Sequence, residues 1–372
     1  MGSLVVLADS AVHEILISLS KDEIVNFQTS LATCLQKYSG SERQYQPDAG
    51  VINRPSGQRT LFRNFTSSTA VGTKIIVDPA PIDNKRPPLQ GILALCDESG
   101  LPSGVINAGE VTGYRTSLSA MIPYMWRRNT ENIIVYGAGK QALWHIRLAL
   151  ALRGDEIKSF IVVNRSEPRA REMLDTVARE NAARWKSPAT LEYLGPSGSN
   201  YDQSLKDALG NADVIFCTVP SSEPLFPADY IPNRGSGGRS PYISAIGSWQ
   251  PNMIELDPVL VRSIVDGSRS GFHPEGGSTG AILVDDREGA MKHAGEAIQS
   301  QLKIGDMVEV GKVCHFREQG HSEANQEGLN KWLEEGLVVY KSIGVSTTDL
   351  AAGEEILALA KQRKLGTEIK GF

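Results

Sequence analysis

A chain of 372 residues has room for two domains, each burying its own core, and 41% hydrophobic with 22% charged residues is the balance of a globular protein in water. The formal net charge of −5 leaves no basic footprint for nucleic acid or an anionic membrane surface. Cys34, Cys96, Cys217 and Cys314 lie far apart with no CxxC pair, which argues against a disulfide framework or thiolate metal site and for a reducing compartment.

Helical spacing of Val12, Ile15, Leu16 and Leu19, then Ile24, Phe27, Leu31 and Leu35, predicts two helices over 11–38. Asp22 and Glu23 stand in the first turn of the second, where the helix dipole favours acids. Over 44–107, β-rich runs at 74–77, 92–95 and 105–107 alternate with turns, as in an antiparallel or mixed sheet. A helix after Glu110 carries Thr112, Arg115, Thr116, Leu118, Met121 and Ile122. Strands at 160–163, 191–194, 214–219, 242–246 and 263–266, with helices at 168–183 and 203–209, then predict a doubly wound parallel sheet. Segments 233–240 and 268–279, rich in Gly, Ser and Arg, are expected to be mobile surface loops. Helices are expected at 286–298, 327–335 and 349–364, after an open sheet complete by about residue 310. The expected fold is α/β: a Rossmann domain over 119–322 and a discontinuous α+β domain from 1–118 and 323–372. No apolar run reaches the roughly 18 residues of a membrane span, and no basic region precedes the first apolar residues. A cytoplasmic location is expected.

Asn132-Ile133-Ile134-Val135-Tyr136 runs into Gly137-Ala138-Gly139-Lys140-Gln141-Ala142, after which Ile146, Leu148, Leu150 and Leu152 continue at helical spacing. Strand, glycine turn and helix in G-x-G-x-x-A form are what a dinucleotide pyrophosphate needs: a tight turn, backbone close to phosphate, and a helix packed near the sheet. The next strand ends Val162-Val163-Asn164-Arg165-Ser166. Asn stands where an acid would hold the ribose 2′-hydroxyl of NAD, and Arg with Ser suits the 2′-phosphate of NADP, so NADPH is expected over NADH. Thr218 and Val219 follow one strand, and Ala245, Ile246 and Gly247 end the next, near the switch point where a nicotinamide would lie. Thr at a strand end is as common for purely structural reasons.

Lys74 opens the otherwise apolar run Ile75-Ile76-Val77, and Arg115 lies on the helix leading to the glycine turn. Together they could clamp a carboxylate and protonate an imine or carbonyl. Taken singly, each is more often a solvated surface charge. His145, one turn into the Rossmann helix, more often packs than catalyses, and the six histidines show no metal-ligand spacing.

These motifs together resemble the ornithine cyclodeaminase/mu-crystallin family over 72–361. The blocks are Gly72-Thr73-Lys74, Thr112 with Arg115-Thr116, Gly137 to Ala142, Cys217-Thr218-Val219, Gly247 with Glu255-Leu256-Asp257, Val284-Asp285-Asp286-Arg287-Glu288 with Ala294-Gly295-Glu296, and Lys341-Ser342-Ile343-Gly344 with Asp349-Leu350-Ala351. The resemblance implies a homodimer built through the first domain, which also binds substrate, and NAD(P)-dependent redox chemistry at a carbon bearing nitrogen. It implies Lys74 and Arg115 as catalytic, substrate-contacting residues, and a cofactor contact at Ser342. Two departures stand out. The family's Pro-x-Arg arginine is replaced by Ala49 in Pro47-Asp48-Ala49; either the nearby Arg63 is a relocated carboxylate contact, or the substrate lacks an α-carboxylate. The acid that cyclodeaminases carry two residues after Gly247 is Trp249, which cannot serve as a base and would line the pocket. The expected activity is NADPH-dependent reduction of a small imine. The alternatives are ornithine cyclodeamination, amino-acid dehydrogenation, or cofactor binding with little turnover.

Overall fold

The computed structural model describes residues 3–83, 87–234, 238–277, 279–319 and 323–372. Contacts divide the chain into one unit of Met1–Thr116 with Val345–Phe372 and another of Ser117–Gly344.

In the first unit the chain runs β1 (Ser3–Leu7), α1 (Asp9–Ile17), α2 (Lys21–Lys37), β2 (Gly50–Asn53), β3 (Arg59–Thr66), β4 (Ala70–Asp78), β5 (Gln90–Asp97), β6 (Pro102–Asn107) and the start of α3 (Ala108–Met125). The amphipathic helices form as their spacing demands. Val12, Ile15 and Leu16 of α1, and Ile24, Phe27, Leu31 and Leu35 of α2, are buried. Ser20 caps α2 reciprocally with Glu23, each side chain satisfying an otherwise orphaned amide.

Strands β2 to β6 form an antiparallel ladder, and β1 joins it parallel to β6, so the sheet is mixed. Two further strands, β1 and β15 (Thr367–Lys370), lie outside the stretch 44–107 expected to form this sheet. β1 is a short apolar run whose β6 partner lies about a hundred residues away, and β15 is a short, exposed edge strand carrying Glu368 and Lys370. The last long helix, α12 (Ser346–Arg363), packs on α2 and on β3, β4 and β5.

The second unit continues with β7 (Asn132–Tyr136), α4 (Lys140–Arg153), β8 (Ser159–Val163), α5 (Glu167–Glu180), β9 (Thr190–Leu194), α6 (Tyr201–Asn211), β10 (Val214–Cys217) and β11 (Tyr242–Ala245). It ends with α7 (Pro258–Val265), β12 (Ile282–Val284), α8 (Arg287–His293), α9 (Gly295–Gln299), β13 (Met307–Glu309), α10 (Val310–Gln319), α11 (Glu323–Glu335) and β14 (Val338–Lys341). Its eight strands are all parallel, in the order β13-β12-β14-β11-β10-β7-β8-β9. That is a Rossmann order, reversing between β7 and β10.

Two expectations are corrected here, and a third falls partly outside the described residues. The strand expected at 263–266 belongs to α7, because Asp257 accepts from the Val259 amide as N-cap, Pro258 starts the helix, and Leu260, Val261, Ile264 and Val265 recur at helical spacing. The sheet is not complete by residue 310. Fully buried β14 inserts between β11 and β12, so 323–344 belongs to the second unit and the chain returns to the first only at Val345. Of the loops expected to be mobile, 235–237 and 278 lie outside the described residues, and the described flanks are tied down. Arg269 donates to the carbonyls of Ile231 at 2.8 Å and Ala228 at 3.1 Å. No described helix is long and apolar enough to cross a membrane.

Candidate functional site

The glycine turn joins β7 to α4. Gly137 has φ +108°, and a Cβ there would stand 2.8 Å from Thr218 Oγ1, so glycine alone fits. Gly139 is the N-cap of α4, with open space where its side chain would be and no side chain to accept the first-turn amides. The first turn lies at the positive end of a 14-residue helix with room in front of Gly139, an arrangement that fits a phosphate. Lys140 is exposed beside them, Ala138 and Gln141 are half-buried, and Ala142 is fully buried against the sheet. His145 is buried, its Nδ1 2.8 Å from the Gln141 carbonyl and 2.9 Å from Ser117 Oγ, and burial pulls its pKa down to about 4. It packs against Phe216.

After β8, Asn164 clips its own loop. Its amide donates to the Ser166 carbonyl at 2.8 Å, and its carbonyl accepts from the Tyr193 hydroxyl at 3.2 Å. Arg165 is exposed, and Ser166 is the N-cap of α5 without a capping bond from its hydroxyl. Thr218 donates to the Tyr136 carbonyl at 2.6 Å, which joins the ends of β7 and β10 across the switch point. Ser342 is buried and donates to Asp285 Oδ2 at 2.6 Å; Asp285 also accepts the amides of Ile343 and Gly344. Its carboxyl is raised by burial.

Behind the loops after β10 and β11 lies a buried cluster that sequence reasoning gave no role. Glu255 Oε1 accepts the Val219 amide at 2.9 Å, and Oε2 accepts the amides of Gly247 at 2.7 Å and Ser248 at 3.2 Å. Lys341 donates to the Ser248 carbonyl at 2.7 Å and pairs with Glu296 at 3.2 Å, whose Oε1 accepts the Glu255 amide at 2.8 Å. Burial pushes the Glu255 carboxyl up to about 7, against the pull of Lys341. Ala245 and Ile246 are buried at the end of β11, and half-buried Trp249 follows the loop that Glu255 holds.

In the first unit, three residues with an expected role meet around Asp349, which the sequence motifs contain without a role. Lys74, with none of its surface exposed, donates to Asp349 Oδ1 at 2.8 Å, and Arg115 Nε donates to the same oxygen at 2.9 Å. Arg63 sits directly across the β3–β4 ladder from Lys74 and acts electrostatically on both Lys74 and Asp349. Asp349 Oδ2 is buried and accepts no hydrogen bond among the described residues. Burial pulls the Lys74 ammonium down to about 7, with Arg115 and Arg63 adding to the effect and Asp349 opposing it. Burial alone would raise Asp349, but Arg115, Lys74 and Arg63 outweigh it and hold the carboxyl at about 2. An ionised aspartate beside a lysine titrating near neutrality is equipped to hold and release a proton.

Glu255 and Lys341 each interrupt or end an apolar run, as in Ile254-Glu255-Leu256 and Val338-Val339-Tyr340-Lys341, whereas Asp349 follows Ser346-Thr347-Thr348 and carries no such signal. A charge placed in an apolar run is buried and must be paired.

No family model matches the chain. Among known proteins it is similar to an uncharacterized cyclodeaminase of Dictyostelium discoideum, 26% identical over 96% of this chain and 93% of that protein. It is 22% identical to Δ1-pyrroline-2-carboxylate reductase of Bacillus cereus, over 95% of this chain and 96% of the other. It is 25% identical to ketimine reductase mu-crystallin of Mus musculus, over 72% of this chain and 69% of the other. Of solved structures, Δ1-pyrroline-2-carboxylate reductase of Thermococcus litoralis, in complex with NADH and L-proline, aligns with a TM-score of 0.73 at 17% identity, over 98% of this chain and all of that one. An archaeal alanine dehydrogenase dimer with bound NAD aligns at 0.72 and 19%, over the full length of both. At these identities the structural likeness is one of fold. In its ordered motif blocks, its near full-length similarity to such relatives and its fold, the chain is similar to proteins of the ornithine cyclodeaminase/mu-crystallin family.

Proposed function

We propose that this protein is an NADPH-dependent oxidoreductase that reduces the C=N bond of a small cyclic imine carrying an anionic substituent. The observation that carries this reading is the fully buried Lys74, held near pKa 7 beside Asp349 and Arg115. When bound, the reduced nicotinamide supplies the hydride to the imine carbon. Lys74 delivers the proton to the nitrogen, and Asp349 fixes the ammonium and offers Oδ2 to a substrate N–H. Arg115 and Arg63 orient the anionic group, and Trp249 lines the pocket. Names of relatives such as Δ1-pyrroline-2-carboxylate reductase and ketimine reductase support the same class.

The direct test is NADPH consumption with Δ1-pyrroline-2-carboxylate and its six-membered homologue. Turnover above the cofactor blank is expected. Ammonia release from ornithine without net cofactor use would overturn the reading in favour of cyclodeamination.

For the cofactor, the turn at Gly137, Ala138, Gly139, Lys140, Gln141 and Ala142 takes the pyrophosphate. Asn164, Arg165 and Ser166 take the adenosine end, and Arg165 meets the 2′-phosphate. Thr218, Val219, Ala245, Ile246, Gly247 and Ser342 border the nicotinamide half. Arg165→Glu should weaken NADPH binding by about tenfold or more, from the loss of a charge-assisted hydrogen bond of roughly 1.5–3 kcal/mol, while NADH binding changes little. Equal losses for both cofactors in a fluorescence titration would remove Arg165 from this role.

We also infer a homodimer formed through the open face of the first unit's sheet. One face, with Leu93 and Leu95, is buried beneath α12. The alternate positions Ile52, Phe62, Ile75, Val77 and Ile92 line the other, where Ile52 and Ile92 are 47% and 44% exposed. An apolar sheet face of this kind seeks a partner, and a second copy supplies a matching one. The double change Ile75→Glu with Ile92→Glu should shift sedimentation from dimer to monomer; a monomeric unaltered protein would contradict this.

A further inference from the structure

The buried Glu255–Lys341–Glu296 cluster contributes no atom to the chemistry above, yet its bonds converge on two loops. One carboxylate holds the second amide after β10 (Val219) and the second and third amides after β11 (Gly247 and Ser248), using both oxygens. Lys341, the last residue of β14, fixes the Ser248 carbonyl from the other side. The loops are drawn so close that a Cβ on Gly247 would lie 2.4 Å from the Val219 nitrogen and 2.6 Å from Glu255 Oε1. Glu255 is itself anchored through its amide to Glu296 and through its carbonyl, which accepts the Leu225 amide at 2.8 Å. Such a cluster is costly to bury and contributes little net stability. Its geometry defines the relative height of two loops at the carboxyl ends of adjacent strands.

In a Rossmann sheet the glycine turn after the first strand takes the pyrophosphate and the end of the second takes the adenosine ribose. The remaining half of the dinucleotide must then lie over the ends of β10 and β11. We infer that Glu255 is a positioning residue that sets the nicotinamide half of the cofactor site, by holding the Val219 and Gly247-Ser248 loops in one register. This rests on the proposed cofactor site and adds to it a division of labour: the Gly137 turn and Arg165 bind the adenosine half, and Glu255 shapes the rest without touching it.

Glu255→Gln tests this. A glutamine has one acceptor oxygen, so it cannot receive amides on both of its arms, and at least one loop is released. Binding of NADPH and of 2′,5′-ADP, which carries only the adenosine half, is measured by calorimetry on the full chain, at a temperature where the variant is folded by near-ultraviolet circular dichroism. NADPH affinity should fall about tenfold or more, as for loss of a residue that orients a binding site, while 2′,5′-ADP affinity stays within about twofold. Equal weakening of both ligands would mean a general structural role, and no weakening of either would mean no role; each overturns the inference. If the unaltered protein binds neither, the cofactor site itself is wrong, a separate failure. Should Glu255→Gln not fold, Lys341→Met removes the other loop anchor, and the same selective loss of NADPH affinity is expected.

Discussion

Replacing Lys74 by methionine should lower kcat for imine reduction by about 10²–10⁴-fold, the usual contribution of a positioned general acid, and leave NADPH affinity unchanged. Methionine fills nearly the same volume in a fully buried position, and Arg115 remains on the Asp349 oxygen that Lys74 leaves. The aspartate is therefore not orphaned, and a loss of activity cannot be put down to collapse of the site. The pH profile separates proton donation from mere positioning. With the ammonium pulled down to about 7 by burial, kcat/KM should fall as pH rises through that value, because the acid form is lost. In the methionine variant the residual rate should be flat across that window. A variant that keeps the neutral-range fall would assign the titration to another group.

Asp349→Asn should be the most destabilising of the changes considered, by about 3–5 kcal/mol, because it leaves Lys74 and Arg115 buried without their shared carboxylate. Urea denaturation at pH 7 measures it. The folded carboxyl is held at about 2, below its ordinary value of 3.8, so the unfolded chain binds more protons between those values. The contribution of Asp349 is thus fully present above about pH 4 and lost as pH falls through about 2, and the asparagine variant lacks that segment of acid dependence. Loss of the aspartate also removes what opposes burial at Lys74, so its pKa falls further and the fall in kcat/KM moves to lower pH. Unchanged stability would mean that the two cations find other acceptors.

Where structure depends on neighbours in sequence, it was legible. The faces of α1 and α2 follow from residues three and four apart, and the β7 turn and α4 lie within twenty residues of one another. Where it depends on distant partners, it was not. The apolar run suggests a strand at 263–266, though Asp257 and Pro258 just upstream start a helix. β14 carries four buried residues, which local pattern could not assign to a sheet that appeared already full, and only its pairing with β11 and β12 does so. Within the candidate site, Lys74 and Arg115 could be named because family motifs carry them. The role of Asp349 depends on partners 275 and 234 positions away and needed the fold. Glu255 was visible as part of a motif, but the amides it holds come from two separate loops.

Hydride transfer from NADPH to an imine carbon is read out by following the hydrogen itself. With NADPH deuterated at nicotinamide C4 and Δ1-pyrroline-2-carboxylate as substrate, mass spectrometry should find one deuterium at the carbon next to nitrogen in the proline formed, with one cofactor oxidised per product. Proline that arises only from ornithine, with ammonia released and no net oxidation of the cofactor, would contradict it.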